Sequence, residues 1–412
     1  MKAIARPGHS IIILLIIVLF VFFFATCINH TSEQSAIITN HAREQFAGSA
    51  SCAGCHKDIY DNHINTAHYL TSRLASGQSI KGSFQPPQNS YGYDANTLVA
   101  MEKQDSGLFQ VEYVHGSKKT VRRFDIVFGS GQMGQTYLSW VHDNLYQLPI
   151  TFFSAANQWS NSPGFPNRPV FNRPITSRCF ECHSTYAKVI SPPEKRPEAF
   201  DRTKMIYGVD CEKCHGPAAR HVDFQTKQPL EKTAKFIINP AKLSRQQNLD
   251  LCASCHGGSL SKTTASFSFA VGDKLEDHFV LDGSVPNPNN IDVHGNQYGL
   301  LRASKCFRES ETMTCNSCHN SHEKERGKLA IYSQRCMTCH NTDHGSFCKM
   351  EKTIGASIKN NCIDCHMPLK PSRAIAVFLP GGKAPTAALI RSHFIGVYPD
   401  EAKKLNDFIQ HK

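Results

Sequence analysis

Fourteen of the 17 cysteines lie in seven copies of the pattern C-x-x-C-H, in which a histidine directly follows the second thiol. Two thiols at this spacing can add to the two vinyl groups of one porphyrin, and the adjacent imidazole is then directed at the iron as its proximal ligand. The pattern therefore predicts seven covalently bound haem c groups, each with its iron. The motif cysteines are Cys52, Cys55, Cys179, Cys182, Cys211, Cys214, Cys252, Cys255, Cys315, Cys318, Cys336, Cys339, Cys362 and Cys365. The motif histidines are His56, His183, His215, His256, His319, His340 and His366.

Two other uses of paired cysteines fit the sequence less well. A single C-x-x-C-H can be half of a zinc site or a redox dithiol, but zinc sites pair such motifs at short, regular separations. Here the separations are irregular, and every copy carries the histidine, which a disulfide framework does not require. Cys306 and Cys348 lie outside the motifs, and two roles remain open for them, a disulfide or buried free thiols.

The N-terminal segment has the composition of an export signal. Lys2 and Arg6 precede an unbroken apolar run at positions 11–24, and a small pair of residues then precedes Cys27. Cys27 is therefore a candidate lipidation site of a bacterial lipoprotein, although the position three residues before it lacks the usual Leu. The alternative is an uncleaved anchor helix, since the apolar stretch just reaches the length of a membrane span. Both alternatives predict an exported protein of the periplasm or cell envelope that is anchored to the membrane.

The composition and charge exclude several classes of protein. With 40% hydrophobic and 19% charged residues, the chain is neither disordered, nor collagen-like, nor a polytopic membrane protein. The formal net charge of +11 would normally raise nucleic acid as a partner, but no run of five basic residues occurs. Two propionates on each of seven haems would carry more negative charge than this net positive charge. We therefore interpret the surplus of Lys and Arg over Asp and Glu as counter-ions of the propionates, and we expect no nucleic-acid binding.

A second imidazole on each iron would come from the histidines outside the motifs. Such an iron has no open coordination position and is suited to electron transfer, whereas an iron with only its proximal ligand is a candidate reaction centre. His115 and His142 fall at predicted hairpin turns and are expected at the surface. The better candidates for distal ligands are His63, His68, His221, His278, His294, His322, His344 and His393. The alternative for each of them is a solvated histidine near a haem edge.

The spacing of some of these histidines indicates which haem they serve. His322 follows His319 by three residues, so in a helix the two side chains would share one face, with Cβ atoms about 5–6 Å apart. His322 then cannot reach the opposite face of the haem that His319 binds, and it would have to serve a neighbouring haem. The same argument applies in weaker form to His344 after His340 and to His221 after His215. Shared ligands of this kind would bring haems into contact.

The elements that must position these residues differ along the chain. Helical spacing from Asp58 to Leu74 predicts a short helix, and residues 402–410 predict an amphipathic helix at the C-terminus. Alternation of apolar and polar residues between Thr97 and Phe153 predicts antiparallel strands, with turns at His115 and His142. The haem motifs themselves lie in sequence with little periodicity, which predicts short helices, long loops and a core built largely of porphyrin.

The predicted fold class is mainly α with little regular structure, a multihaem cytochrome c fold organised around stacked haems with a small inserted antiparallel β subdomain. The predicted domains are a signal, lipoprotein or anchor segment, a linker, a first haem segment, a β-rich insertion and a six-haem multihaem cytochrome domain. Their bounds are 1–27, 28–50, 51–96, 97–160 and 161–412.

Several local motifs resemble those of the cytochrome c-552/c-554 (c-554/c-prime) type of multihaem cytochrome over about residues 51–397. They are C-A-G-C-H followed by T-A-H at His68, D-C-E-K-C-H-G-P-A-A-R-H ending at His221, H-G-N-Q-Y from His294, M-T-C-N-S-C-H-N-S-H ending at His322, and R-S-H-F at His393. The resemblance implies that these five histidines are distal ligands to haems bound elsewhere in the chain. His278 is a weaker match, and His63 and His344 compete for any remaining iron. That group is related in haem packing to pentahaem nitrite reductases and octahaem hydroxylamine oxidoreductases.

The chain departs from those two enzyme groups, since it has no C-x-x-C-K motif and no eighth haem motif. The resemblance therefore implies haem content and fold more than any one reaction. The leading hypothesis is a heptahaem protein that transfers electrons between partners in the bacterial cell envelope, either other redox proteins or quinol-linked complexes. An electron-transfer protein is favoured over an enzyme. The alternatives are a reductase or oxidase of a small inorganic nitrogen or sulfur substrate at one five-coordinate haem, and a filament-forming cytochrome; homo-oligomerisation is left open.

Overall fold

The computed structural model describes residues 37–192, 194–284, 286–341 and 347–410. The candidate lipidation site Cys27 and the candidate ligand His344 lie outside these residues. Among the described residues, no helix combines the length and apolar character needed to cross a membrane.

Antiparallel strands dominate the chain between Ser72 and Pro174. One sheet has the strand order β1-β6-β7-β8-β11, and β9 pairs with both β7 and β10 to extend it. A second sheet has the order β2-β3-β4-β5. The strands are β1 (Ser72–Leu74), β2 (Ser90–Gly92), β3 (Thr97–Gln104), β4 (Gly107–Val114), β5 (Ser117–Arg123), β6 (Ile126–Phe128), β7 (Gly134–Val141), β8 (Asn144–Gln147), β9 (Ile150–Phe153), β10 (Gln158–Asn161) and β11 (Arg173–Pro174).

The sequence pattern between Thr97 and Phe153 predicted the strands of that range and their turns. Apolar residues of both sheets, among them Val99, Tyr137 and Trp159, meet in one buried cluster. The predicted turns are confirmed, because His115 joins β4 to β5 and His142 joins β7 to β8, each with a positive φ, 49° and 53°.

The helices that carry the haem motifs are short. Most motif residues lie within a helix or at its end, so that each pair of thiols spans about one helical turn. The α-helices are α1 (Ser49–Cys52), α2 (Lys57–His63), α3 (Ser177–His183), α4 (Cys211–His215), α5 (Ala219–Lys227), α6 (Arg245–His256), α7 (Gln297–Ala303), α8 (Lys305–Glu309), α9 (Leu329–Met337), α10 (Glu351–Ile354), α11 (Ile363–His366) and α12 (Pro399–Gln410). Single turns of 3₁₀-helix cover Tyr69–Thr71, Pro240–Lys242, Leu275–Asp277, Cys315–Ser317 and Ala356–Asn360.

Three more antiparallel strand pairs lie within the haem-motif region. They are β12 (Ser184–Val189) with β13 (Phe200–Tyr207), β14 (Ser261–Lys262) with β15 (Phe279–Val280), and β16 (Leu369–Val377) with β17 (Thr386–Arg391). The prediction of a mainly α fold was therefore wrong, since the structure is 27% helix and 25% strand. Register irregularities in β12–β13 and β16–β17 interrupt the alternation by which such strands are recognised in a sequence.

Of the two individually predicted helices, one is confirmed and one is wrong in part. The C-terminal helix is present as α12. The helix predicted from Asp58 to Leu74 ends at His63, because the hydroxyl of Thr66 donates to the carbonyl of His63 at 2.7 Å and accepts from the backbone N–H of Tyr69 at 3.2 Å. These two bonds replace the next turn of the helix.

Candidate functional site

Four motif histidines use Nδ1 for a hydrogen bond within the protein. A ring nitrogen held in this way leaves Nε2 as the metal-binding atom and fixes the orientation of the ring. The bonds are His183 to Thr71 Oγ1 at 2.9 Å, His215 to the carbonyl of Ile238 at 2.9 Å, His256 to Gln297 Oε1 at 3.1 Å, and His366 to the carbonyl of Gly396 at 2.7 Å. Neither Thr71 nor Gln297 was singled out from the sequence, because neither lies near its histidine in the chain.

Three motif histidines face a candidate distal histidine at one nearly constant distance. The ring centroids are 6.1 Å apart for His68 and His256, 6.1 Å for His215 and His322, and 6.0 Å for His319 and His393. Two imidazoles that bind one metal from opposite sides, each with a metal–nitrogen bond of about 2.0 Å, place their centroids about 6 Å apart. The three pairs therefore have the separation that bis-histidine ligation of one iron requires.

His322 has a second imidazole within the same range, that of His63 at 6.2 Å. Both ring nitrogens of His63 face backbone carbonyls, with Nδ1 at 3.3 Å from Ser321 and Nε2 at 3.1 Å from Val209. His215 instead keeps Nε2 available, and its ring plane is inclined by only 19° to that of His322. We therefore pair His322 with His215.

The segment that follows His319 is a turn and not a helix. The helical premise for His319 and His322 was therefore wrong. The structure nevertheless places His322 beside the histidine of another motif.

The remaining distal candidates differ in how their ring nitrogens are used. His278 is fully engaged, since Nε2 lies 3.0 Å from the carboxylate of Asp273 and Nδ1 lies 3.2 Å from the hydroxyls of Thr264 and Ser268. His221 uses Nδ1 to reach the carbonyl of Lys235 at 2.9 Å, so its Nε2 is available.

His294 lies close enough to His183 and to His256 for their charges to interact. In the part of the chain that the structure describes, neither His221 nor His294 makes a ring contact with a motif histidine. The structure thus brings His68, His322 and His393 against motif histidines and leaves the partners of His221 and His294 unassigned.

Burial keeps several of these imidazoles neutral, which is the metal-binding form. Together with the charges of neighbouring histidines, it lowers the pKa of His68, His183 and His393 to about 4 in each case, and burial is the largest cause for all three. The Nδ1 atom of His393 is buried without a hydrogen-bond partner among the described residues. A buried polar nitrogen left unpaired is costly, and a bond to iron is a partner that fits it. The donor set therefore fits haem iron.

Cysteines of different motifs lie beside one another. Three thiol pairs interact most strongly, and further pairs are close enough for their charges to interact. The strongly interacting pairs are Cys52 with Cys211, Cys182 with Cys255, and Cys252 with Cys315. The further pairs are Cys214 with Cys252 and with Cys255, Cys318 with Cys336 and with Cys339, and Cys336 with Cys362. Through these pairs, all seven motifs are connected in one series. The series branches at the fourth motif, whose cysteines lie near those of the second, the third and the fifth.

Of the three cysteines outside the motifs, Cys306 and Cys348 lie near different motifs and are not joined to each other. Cys306 lies near Cys318 and Cys339, whereas Cys348 lies near Cys362 and Cys365, and both are free thiols. The disulfide alternative for this pair is therefore not realised.

Buried acidic residues inside two motifs were missed in the sequence. Glu181 and Glu212 occupy spacer positions of C-x-x-C-H, and both are buried. Glu212 accepts hydrogen bonds from the backbone N–H groups of Ala47, Gly48 and Ala218 at 2.7–2.8 Å, while burial raises its pKa. The acidic spacer was the only available signal, and its partners lie up to 165 residues away in the chain.

Within 37–192, 194–284, 286–341 and 347–410, no group of three or more His, Cys, Asp or Glu side chains is arranged to hold a bare metal ion. The zinc alternative thus has no support in this part of the chain.

Comparison with known proteins identifies the class of protein. The family described as "Cytochrome c554 and c-prime" matches residues 167–216, which contain the second and third motifs. The outer cell wall cytochrome OcwA has the same fold, with a TM-score of 0.52 and 17% identity over 87% of this chain and 81% of its own.

An undecahaem cytochrome from the S-layer of Carboxydothermus ferrireducens matches with a TM-score of 0.40 and 15% identity over 86% of this chain and 52% of its own, a likeness too low to carry an argument. A search of curated proteins finds no match. The relation to nitrite reductases and hydroxylamine oxidoreductases stays a prediction. Because the matched segment holds two copies of a pattern that the same chain repeats five more times, the protein is a multihaem c-type cytochrome.

Proposed function

We propose that the chain is an exported heptahaem cytochrome that transfers electrons between redox partners in the bacterial cell envelope. Haem iron, when bound, supplies one-electron redox chemistry. The observation that carries the proposal is that three motif histidines face a second imidazole at 6.0–6.1 Å. A second protein ligand leaves no coordination position for a substrate, so these residues favour electron transfer over catalysis.

The arrangement of the attachment cysteines supports the same function. Each motif has a cysteine beside a cysteine of another motif, and the whole set forms one connected series. Seven attachment sites this close to one another would allow electrons to pass from haem to haem along the series.

The haem count and the ligands are tested together on purified protein. Intact-mass spectrometry is expected to exceed the mass of the mature polypeptide by seven haem groups, and the Cys318→Ala variant is expected to weaken attachment at one of them. Low-temperature EPR of the oxidised protein is expected to show low-spin iron for the three paired sites. A mass increase of fewer than seven haems would refute the heptahaem proposal. A high-spin fraction near one-seventh would instead favour a reductase or oxidase with one five-coordinate haem.

Anchoring and export are proposed on the N-terminal segment alone. Metabolic labelling with palmitate is expected to mark the wild-type protein, and a Cys27→Ala variant provides the matched control. Membrane-bound protein without label would favour the uncleaved helix over lipidation, and protein found only in the cytoplasm would refute export. The proposed partners are redox proteins or quinol-linked complexes of the same compartment.

A further inference from the structure

We propose that the strand pair β1–β6, with Thr71 directly before β1, forms a clamp on His183, in which Thr71 is a positioning residue that sets the reduction potential of the haem attached at Cys179 and Cys182. The inference rests on the proposed electron-transfer function and deepens it. It gives the β-rich region, which carries no haem motif, a role at one particular redox site.

The first contact of the clamp is the hydroxyl of Thr71. Its Oγ1 lies 2.9 Å from Nδ1 of His183, although the two residues are 112 positions apart in the chain. A histidine that binds a metal through Nε2 carries its hydrogen on Nδ1. In that state His183 donates the hydrogen bond and the Thr71 hydroxyl accepts it, while the backbone carbonyl of Thr71 also lies within reach of the ring.

The chemistry of this acceptor distinguishes His183 from two other motif histidines. His215 and His366 donate to backbone carbonyls, at 2.9 and 2.7 Å. A hydroxyl oxygen is a weaker acceptor than an amide carbonyl, so it withdraws less of the proton and leaves the imidazole a weaker electron donor. Hydrogen bonds to a metal-bound histidine tune the metal through this donor strength. We therefore expect the hydrogen bond to Thr71 to lower the reduction potential of the haem that His183 ligates. The hydroxyl should lower it less than a carbonyl acceptor would.

The second contact is the ring of Phe128, which lies flat against the imidazole. The two ring centroids are 4.7 Å apart and the planes are inclined by 10°. Phe128 is itself buried and meets Phe180 edge to face at 5.1 Å. A ring packed on one face in this way resists rotation of the imidazole about its bond to the Cβ atom.

The backbone holds these two contacts in a fixed relation. The carbonyl of Thr71 accepts the N–H of Gly129 at 2.7 Å, and Ser72 pairs with Phe128 in the register of β1 and β6. The hydroxyl of Ser72 also accepts the N–H of Gly208 at 2.9 Å, which ties the strand pair to the segment just before the third motif. Thr71 and Phe128 therefore act on His183 from one rigid element.

The test compares Thr71→Val with Thr71→Ser in the haem-loaded, full-length protein. Valine keeps the shape of threonine but removes the acceptor, whereas serine keeps the hydroxyl. Thr120→Val, at a half-buried position of strand β5, is the matched control. Intact mass is measured first, and spectroelectrochemical titration then follows the redox transitions.

With seven haems still attached, Thr71→Val is expected to shift one of the seven transitions to a higher potential. Thr71→Ser and Thr120→Val are expected to match the wild type. An unchanged titration curve for Thr71→Val at full haem content would overturn the proposal, as would an equal shift in Thr71→Ser. Fewer than seven haems on the wild-type protein would instead overturn the proposed function, so the two failures are distinguishable.

A second variant tests the clamp if Thr71→Val loses a haem. Phe128→Leu keeps an apolar side chain but removes the flat ring contact. It is expected to change the EPR g-values of a single haem, because those values respond to the orientation of the axial imidazole plane. An EPR spectrum identical to that of the wild type would contradict a restraint by Phe128.

Discussion

Replacing His322 by alanine tests the assignment of ligands most directly. His322 faces His215 at 6.1 Å between ring centroids, and it lies outside the motif that supplies its partner. Its removal should therefore take the distal ligand from the haem attached at Cys211 and Cys214, while the covalent bonds of that haem and of the haem at His319 remain. An iron with one protein ligand becomes high-spin.

The expected magnitude follows from the number of sites. One of seven irons should change spin state, which is about 14% of the total EPR-active iron, and no haem should be lost from the intact mass. Added imidazole should return that fraction to low spin, because the small molecule can occupy the position that the side chain has left. EPR at low temperature, quantified against total haem, measures both changes.

Two control variants make the result specific. His278→Ala removes an imidazole whose two nitrogens already bond to protein atoms, so the spin state should not change. His63→Ala removes the other imidazole near His322, and it should also leave the spin state unchanged, because both nitrogens of His63 face carbonyls. A low-spin spectrum in His322→Ala would refute the pairing, and a high-spin fraction in His63→Ala would show that His63 is a ligand.

Two further predictions concern the stability of the haem-loaded protein. Glu325→Gln removes a bidentate pair with Arg335, whose guanidinium lies 2.5 and 2.7 Å from the carboxylate, and is expected to cost about 3 kcal/mol in urea unfolding. Arg335 lowers the pKa of Glu325. The wild type should therefore exceed the variant in free energy of unfolding by the full amount above the ordinary carboxyl pKa, and this difference should disappear as the pH falls through the lowered pKa of Glu325. Gly208→Ala would bring a Cβ atom into the carbonyl oxygen of Tyr69 at a backbone φ of +71°, and should cost at least about 1–3 kcal/mol. Gly77→Ala, which meets nothing within 4 Å, is its control, and equal stability of the two variants would contradict this reason.

Local patterns in the sequence predicted some of the fold correctly. The predicted strands between Thr97 and Phe153 are present, although their burial does not alternate regularly: three consecutive residues are buried in β4 and in β7, and all four residues of β9 are buried. The hairpins of the haem-motif region escaped prediction. In β12 the first four residues are all buried, so no alternation marks the strand, and its partner β13 is out of simple register. Burial on both faces and bulges remove the signal that a single sequence offers.

The attachment residues of the site could be read from the sequence, but most of their partners could not. The motif pattern is local, and the chemistry of thioether attachment determines it. The family resemblance already implied that His322 is a distal ligand, but the argument from spacing assumed a helix that does not form, and only the tertiary structure brings His322 to His215. The same holds for Thr71 and Gln297, because a hydrogen bond between residues far apart in the chain has no characteristic sequence separation by which it could be predicted.

The two parts of the molecule differ in how they are held together. The β-rich region has a continuous side-chain core, in which Trp159 alone contacts Phe84, Phe124, Tyr137 and Phe152. The described hydrophobic clusters around the fourth and fifth motifs are much smaller, one centred on Leu249, Leu301 and Phe307 and another on Ala253, Leu275 and Phe279.

Ordering a residue costs roughly 1–2 kcal/mol of backbone entropy, and burial of apolar surface must offset that cost. In the motif region the side chains supply little of this surface, so the porphyrins must supply much of the rest. The β-rich region does not depend on them, and it is therefore suited to hold Thr71 and Phe128 in a rigid contact with the imidazole of His183.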